Sequence, residues 1–478
     1  MQIQTSGPPP KSPRQDRLRR RHSRGRRPSG GPEGPWVLLL LLAAGAPLGA
    51  QQQDTVPGVE LGIVYQTIAQ PALAVKPFGA GVGAEAVAGR VESIIARDLN
   101  FSNRFTVMDS LPLALTGEGI DYALWDDLGA VWLLSGDVTG TDGAGFTLTL
   151  ELHDVVYREV KQRNRFAIPD PSDADFRMAV HRASDQVVLW ATGEPGIAAT
   201  RIAFSQPRTV DGQEVQEMWL VDSDGEGLRR LSSHQSIALS PSWSPDGRKM
   251  AFSSFKSGEQ RIYELDLVTG EERMLEPNRP GQHMTPAYSP DGSLLAFAIL
   301  GGDRSGIFTW DVERNCCLSY LQGGRWNDLS PTWSSDGRRI AFNSNRLGTG
   351  TPQIYVMNSS GGEPDLVSPY RFGQPGYYTS PDWSPDGNRV AFHGRIGSGR
   401  YHILVADVAA RGSRVAQLTF EGNNEDPSWA PDGRHITFVG ERSYGHGLYV
   451  VETVTGNIRP VLLNTRARVP QWSPAVRP

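Results

Sequence analysis

The sequence predicts a six-bladed β-propeller closed by its carboxyl-terminal strand and preceded by a small α/β domain. Three observations carry that prediction: a repeat with a period in the forties, a matched pair of deficits at the ends of the repeat array, and a helix-period segment upstream of it. The repeat runs Pro-x-aromatic, a small residue, then a turn ending in Asp-Gly, at Pro241–Gly247, Pro286–Gly292, Pro331–Gly337, Pro381–Gly387 and Pro427–Gly433. Its aromatics are Trp243, Tyr288, Trp333, Trp383 and Trp429, with a last one at Trp472, and successive members lie 45, 45, 50, 46 and 43 residues apart. Short strands at that spacing are the signature of propeller blades.

Within each repeat the chemistry is that of a hairpin. Ser244-Pro245-Asp246-Gly247 places a Ser, a Pro of preset φ, an Asp and a Gly where a tight turn needs them. Apolar strands follow, at Met250–Phe252, Leu295–Phe297, Ile340–Phe342, Val390–Phe392 and Ile436–Phe438, of the kind buried on both faces. Third strands begin at Ile262, Ile307, Ile354, Ile403 and Leu448, and turns such as Thr269-Gly270 lead to a fourth. Each repeat aromatic is expected to bury ~150–250 Å², worth roughly 4–6 kcal/mol before entropy. These rings are therefore core.

The ends of the array decide closure. Ile202–Phe204 repeats the apolar strand without a Pro-x-Trp strand before it, and Pro470–Trp472 is a Pro-x-Trp strand without an apolar strand after it. The two deficits complete one blade between them, which closes the ring and leaves no free sheet edge at the seam.

Upstream, Val87, Val91, Ile94, Ile95 and Leu99 share one helical face in a helix ending near Asn100. Strands are expected from Leu73, Arg104, Ala130, Gly145 and Gln162, and a second amphipathic helix over 175–192 with Phe176, Val180, Ala183, Val187 and Trp190 or Ala191 inward. Gly193-Glu194-Pro195-Gly196 forms a linker. The expected organisation is a signal peptide over 1–50, a flexible mature amino terminus over 51–58, an α/β domain over 59–195 and the propeller over 196–478.

The signal reading rests on nine basic residues up to Arg27, followed by the apolar run Trp36–Ala50, which is too short to span a bilayer and ends in small residues. No Cys lies near that junction to carry a lipid, and Pro28-Ser29 after Arg26-Arg27 disfavours twin-arginine export. The chain holds 47 basic and 52 acidic side chains, of which the first fifty residues hold 9 and 2; the remainder has 38 − 50 = −12. A net-acidic chain offers no electrostatic footprint for nucleic acid or anionic lipid. The two cysteines, Cys316 and Cys317, are neighbours, so they build no disulfide framework; two thiols without chemistry is the favoured reading over a vicinal disulfide or a metal contact.

No catalytic constellation emerges. The nucleophile elbow, the zincin helix, the P-loop and the dinucleotide fingerprint are all missing, and no two His residues stand at helical spacing. Asp222-Ser223-Asp224-Gly225 reads as a hairpin turn, since it lacks the remaining ligands of a calcium loop. No catalytic residue, cofactor or metal ligand is expected.

The stretches beginning Ala72-Leu73-Ala74-Val75-Lys76-Pro77-Phe78, then Trp125-Asp126-Asp127-Leu128-Gly129, then Thr200-Arg201-Ile202-Ala203-Phe204, and the closing Val469-Pro470-Gln471-Trp472, in this order around the repeats, resemble the TolB family of the Tol-Pal system. The resemblance implies a periplasmic, non-enzymatic, monomeric scaffold that binds the lipoprotein Pal over one propeller mouth and TolA through its mature amino terminus, here Val59, Glu60 and Leu61. It also implies support of outer-membrane integrity and cell division, an amino-terminal segment that changes order when Pal binds, and no membrane insertion.

Meander topology puts the Asp-Gly and Thr-Gly turns at one end and the loops entering each Pro-x-aromatic strand at the other. Those entry loops carry Gln282, His283, Met284 and Thr285; Trp326, Asn327, Asp328, Leu329 and Ser330; Tyr377 and Tyr378; Asn423, Asn424, Glu425 and Asp426; and Arg468. Aromatic, Met and polar residues together suit a protein-binding site, and the loops before Pro286 and Pro331 correspond to ones the family uses for Pal. The sequence departs from the family pattern at His283-Met284 and in its longer tail before Val59. The alternative reading is a secreted envelope propeller for glycan or peptide ligands, using exposed aromatics such as Tyr377 and Tyr378; an enzyme is the least supported.

Overall fold

A computed structural model describes residues 60–62, 69–108, 111, 117, 119–141, 143–348, 350–370, 376–396, 399–411 and 414–475. The predicted leader, the tail and Val59 lie outside the described residues.

Strand β1 (Glu60–Gly62) belongs to the propeller; the amino-terminal domain proper starts with β2 (Ala72–Val75) and β3 (Gly79–Ala80). It continues through α1 (Glu85–Phe101), β4 (Thr106–Met108), α2 (Tyr122–Asp127), β5 (Trp132–Thr141), β6 (Gly145–Asp154), β7 (Glu159–Ile168) and α3 (Phe176–Thr192). The sheet order is β4-β2-β5-β6-β7 with β3 also on β5; β2 is parallel to β4 and β5, and β5, β6 and β7 form an antiparallel meander. Alternation along β2 sends Leu73 and Val75 into the core under α1 and α3, and Ala74 to the other face, where Trp125 of α2 covers it. The predicted helical stripe Val87, Val91, Ile94, Ile95, Leu99 is buried as a set, and on α3 so are Phe176, Val180, Ala183 and Val187. Helix α2 was not anticipated: its six residues are too few to show a period, and Trp125 is its one buried side chain.

Six blades of four strands follow, each strand being designated a to d outward from the axis. Blade 2 comprises Ala238–Trp243, Lys249–Ser254, Arg261–Asp266 and Glu272–Met274. Blade 3 comprises Gln282–Tyr288, Leu294–Gly301, Arg304–Asp311 and Cys316–Gln322. Blade 4 comprises Asp328–Trp333, Arg339–Ser344, Gln353–Asn358 and Asp365–Leu366. Blade 5 comprises Tyr377–Trp383, Arg389–Ile396, Arg400–Asp407 and Arg414–Gln417, and blade 6 Asn424–Trp429, His435–Arg442, Gly445–Glu452 and Ile458–Leu463. Blade 1 takes strands b to d from Arg201–Val210, Gln213–Asp222 and Arg229–Arg230, and strand a from the carboxyl-terminal Arg468–Trp472. Register Trp472↔Ile202 and Arg468↔Ser205 confirms the predicted closure.

The repeat motif's turn is built from its own side chains. Ser244 Oγ accepts from Lys249 N–H at 2.8 Å and donates to Asp246 Oδ1, which also accepts from Arg248 N–H at 3.0 Å, while Gly247 sits at φ 70°. In blade 6 Ala430 replaces the Ser, and Asp432 instead holds His435 Nδ1 at 2.7 Å. The motif Trp residues bind neighbouring blades: Trp243 Nε1 donates to Gln471 O and Trp333 Nε1 to Ala287 O, both at 3.1 Å. Trp472 Nε1 donates to Thr200 Oγ1 at 2.8 Å, anchoring the seam.

One expectation needs correction. Cys316 and Cys317 are joined as a vicinal disulfide at the start of blade 3 strand d rather than standing as two thiols. In a regular strand adjacent side chains diverge. Here Asn315 and Cys317 have φ of 49° and 68°, and this left-handed backbone breaks the alternation at the strand's first turn.

Candidate protein-binding face

The amino-terminal domain occupies one end of the propeller, the end carrying the Asp-Gly and Thr-Gly turns. Asn103, after α1, meets His435 Nε2 at 3.3 Å and accepts from Asn457 Nδ2 at 3.3 Å; Arg459 lies over the Phe101 ring at 4.2 Å. At the centre of this contact Asp224, in the turn between blade 1 strands c and d, accepts from Arg97 of α1 at 2.5 Å and from Arg177 of α3. Buried His181 bridges two carboxylates, with Nδ1 2.7 Å from Asp98 and Nε2 3.5 Å from Asp224. Burial works to lower the His181 pKa, but the hydrogen bond and charge of Asp98, and the charge of Asp224, outweigh it and raise the value. Asp98, His181 and Asp224 stand close enough to ligate a cation. Yet the imidazole offers opposite nitrogens to the two acids, and two guanidiniums already hold Asp224. The donor set suits an inter-domain charge lock better than a metal.

Sequence reasoning missed this lock. The available signal was polar residues, Asp98, His181 and Ser184, on the otherwise apolar faces of the two helices.

The opposite end carries the entry loops and the b–c hairpins, and none of the domain contacts above reaches it. At the axis, every strand a has a residue with left-handed backbone just before its Pro: Ser240, Thr285, Ser330, Ser380, Asp426 and Val469, with φ of 55°, 51°, 54°, 53°, 53° and 48°. A register shift accompanies each, as between Leu239 and Ser242 or Arg468 and Gln471. Such bulges re-aim side chains, and here the six residues line a channel cavity of about 210 Å³. Asp426 links three blades, accepting from Ser380 Oγ at 2.8 Å and from Val469 N–H at 3.3 Å. Asp382, also in the channel, is pushed up to about 6 by burial, which the N–H of Trp429 at 2.7 Å partly offsets.

The predicted site residues divide by exposure. Gln282 and Arg468 are exposed, and Met284, Thr285, Trp326, Asn327, Leu329, Ser330, Tyr377, Asn423, Glu425 and Asp426 are half-buried around the mouth. His283, Asp328, Tyr378 and Asn424 are buried. Each of these has an internal partner: Asp328 takes Arg346 Nη2 on both oxygens at 3.0 and 3.1 Å, His283 Nε2 meets Arg279 O at 3.0 Å, Tyr378 packs edge-on against Phe392, and Asn424 Nδ2 donates to Glu421 O at 2.9 Å. These four shape the loops from within. Trp326 carries Arg325 over its ring at 4.8 Å, and Tyr377 packs edge-on against Tyr401.

The family described as the TolB beta propeller domain matches residues 190–476, and that described as the TolB amino-terminal domain matches residues 59–160. The chain belongs to the TolB family. Among curated TolB-family relatives, the Tol-Pal system protein TolB of Polaromonas sp. strain JS666 is 33% identical over 241 residues, covering 50% of this chain and 53% of that protein. The counterpart from Thioalkalivibrio sulfidiphilus is 31% identical over 239 residues, covering 49% and 53%. The chain thus spans about half the length of the curated relatives it matches. The crystal structure of TolB from Acinetobacter baumannii superposes with a TM-score of 0.72 at 24% identity, over 87% of this chain and 99% of that one, and shows the shared TolB fold.

Proposed function

We propose that the protein is a non-enzymatic, periplasmic scaffold of the Tol-Pal envelope complex, binding a Pal-like lipoprotein at the free propeller mouth and a TolA-like protein through its amino terminus. Family membership supports the complex, and the observation that carries the choice of face is the docking of the amino-terminal domain at the opposite propeller end. The surface residues offered to Pal are Gln282, Met284, Trp326, Asn327, Tyr377, Glu425 and Arg468. No described helix is long and apolar enough to cross a membrane.

The amino-terminal reading draws support from β1. Glu60, Leu61 and Gly62 pair in parallel with Arg414, Val415 and Ala416 as a fifth strand on blade 5. Three residues of pairing form a short strand, and a short strand on a sheet edge exchanges readily for another. One partner's binding can thereby govern another's access to the segment.

Calorimetric titration with the soluble domain of a Pal-like lipoprotein tests the face. Saturable binding that Trp326→Ala, Tyr377→Ala and Arg468→Ala weaken is expected. Binding that these substitutions leave unchanged, while substitutions on β7 of the amino-terminal domain reduce it, would place the site elsewhere.

A further inference from the structure

The largest groove described on the free end lies off the axis, in blade 3, with a volume of about 880 Å³. Arg279, Arg304, Phe308 and Tyr320 supply its charge and its aromatic wall, and no carboxylate is among the side chains that line it. This is unusual for a chain with a net charge of −5.

Of its two cationic groups, Arg279 is held in place without a carboxylate partner and Arg304 has only a loose, exposed one. The Arg279 guanidinium stacks over the Phe308 ring at 4.6 Å, with no carboxylate within ion-pairing distance among the described residues. Arg304 reaches only its exposed neighbour Asp303, at 3.7 Å. Stacking fixes the plane of a guanidinium and leaves its N–H edge free for two parallel hydrogen bonds to a carboxylate.

Tyr320, half exposed, extends the same aromatic wall. Tyr320 packs against Phe308 with centroids 5.1 Å apart and lies across two glycines. A Cβ on Gly306 would come within 3.1 Å of the Tyr320 ring, and one on Gly323 within 2.6 Å of its hydroxyl. The bridge between Ser305 and Asn327 then joins this hairpin to the entry loop carrying Arg325 and Trp326, so the groove opens onto the proposed binding mouth.

We infer that this groove is a subsite for an acidic, extended peptide segment of a protein partner, its carboxylates received by Arg279 and Arg304. Charge complementarity selects the anion. The volume of the groove, about 880 Å³ and beyond what one carboxylate needs, and its lining glycines Gly301, Gly306 and Gly324 favour a peptide backbone over a single small anion. The inference rests on the free end being a binding surface, but the groove can be tested without any Tol-Pal partner.

The probe is a fluorescein-labelled hexaglutamate peptide, followed by anisotropy against the mature chain, with a hexaglutamine peptide as control. Saturable binding of the glutamate peptide alone is expected, weakening at least tenfold in the Arg279→Gln/Arg304→Gln variant and falling with added salt. The exposed Arg158→Gln/Arg165→Gln pair on the amino-terminal domain leaves it unchanged. Arg304→Gln alone, which removes only a loose surface contact, keeps the test valid should the double variant fold poorly; it weakens binding at least threefold. Equal binding of both peptides, no binding, or equal loss in the Arg158/Arg165 control overturns the subsite. Stronger competition by tetragalacturonic acid than by unlabelled hexaglutamate overturns the peptide assignment in favour of an anionic glycan. If the peptide results hold while a Pal-like domain fails to bind, the subsite stands and the proposed partner is what fails.

Discussion

Replacing Asp224 by Ala removes the one carboxylate that both Arg97 and Arg177 reach from the amino-terminal domain. Its side chain is 2% exposed, whereas those of Arg97 and Arg177 are 33% and 22% exposed. At an effective dielectric near 20, each contact is worth roughly 5 kcal/mol before desolvation. The partial exposure of both arginines and the cost of burying the carboxylate reduce that severely. What remains is the penalty of stranded cations. Arg459, half-buried beside the lock, is already pushed down to about 10 by desolvation, against the pull of Asp224 and Asp98. Breaking a buried pair by deleting one partner costs about 3–5 kcal/mol; with both arginines partly exposed, the lower end, about 3 kcal/mol, is the expected loss for Asp224→Ala. Asp224→Asn retains an acceptor without the charge and should cost about 1–3 kcal/mol. Urea unfolding followed by intrinsic fluorescence measures both, and proteolysis near Gly193–Gly196 reports whether the domains separate first. If both variants unfold within about 0.5 kcal/mol of the wild type, with no new cleavage, the lock does not hold the domains.

The lock also predicts a pH dependence. With its pKa raised in the folded state, His181 contributes stability that is full below about 6.5 and fades as pH rises through the folded value. Asp185, pushed up to about 7 by burial against the N–H groups of Ala199 and Ala198, acts in the same direction between about 4 and 7. The urea midpoint should therefore fall from pH 6 to 9, and His181→Gln should flatten the alkaline part; a slope unchanged in that variant would acquit His181. Trp472→Ala should cost about 3–5 kcal/mol, because it empties the seam and removes the indole N–H that Thr200 Oγ1 accepts; a midpoint shift under 1 kcal/mol would mean the ring closes without it. Gly196→Ala would bring a Cβ within 2.1 Å of Asp185 Oδ1 and 2.8 Å of its Cα, so a loss of about 1–3 kcal/mol is expected in the same assay. Asp328→Ala, which leaves Arg346 without its carboxylate, should lower stability by about 3 kcal/mol; lost partner binding at unchanged stability would make Asp328 a contact residue instead.

By itself, the sequence determined the blade count, the closure of the ring and the helical core faces of the first domain. Each of these follows from a local rule: a turn written in Ser, Pro, Asp and Gly, a strand apolar on both faces, a 3.6-residue period. Closure was legible because Pro470–Trp472 and Ile202–Phe204 are the two unpaired members of an otherwise complete count. The mouth was legible as a set of loops, because meander topology alone assigns their end. Only the tertiary structure decided which loop residues point outward. His283 and Asp328 sit in the same loops as Gln282 and Trp326, yet they are buried, because a loop at a propeller mouth must satisfy its own backbone and charges across blade boundaries that no local pattern records. The same holds for the lock and the groove. Asp98, His181 and Asp224 are separated by 83 and 43 residues along the chain, and Arg279 and Arg304 stand on two separate loops, the one entering blade 3 and the b–c hairpin of that blade. The juxtaposition of distant side chains leaves no period to detect; it exists once the packing of helices and blades has brought those groups together.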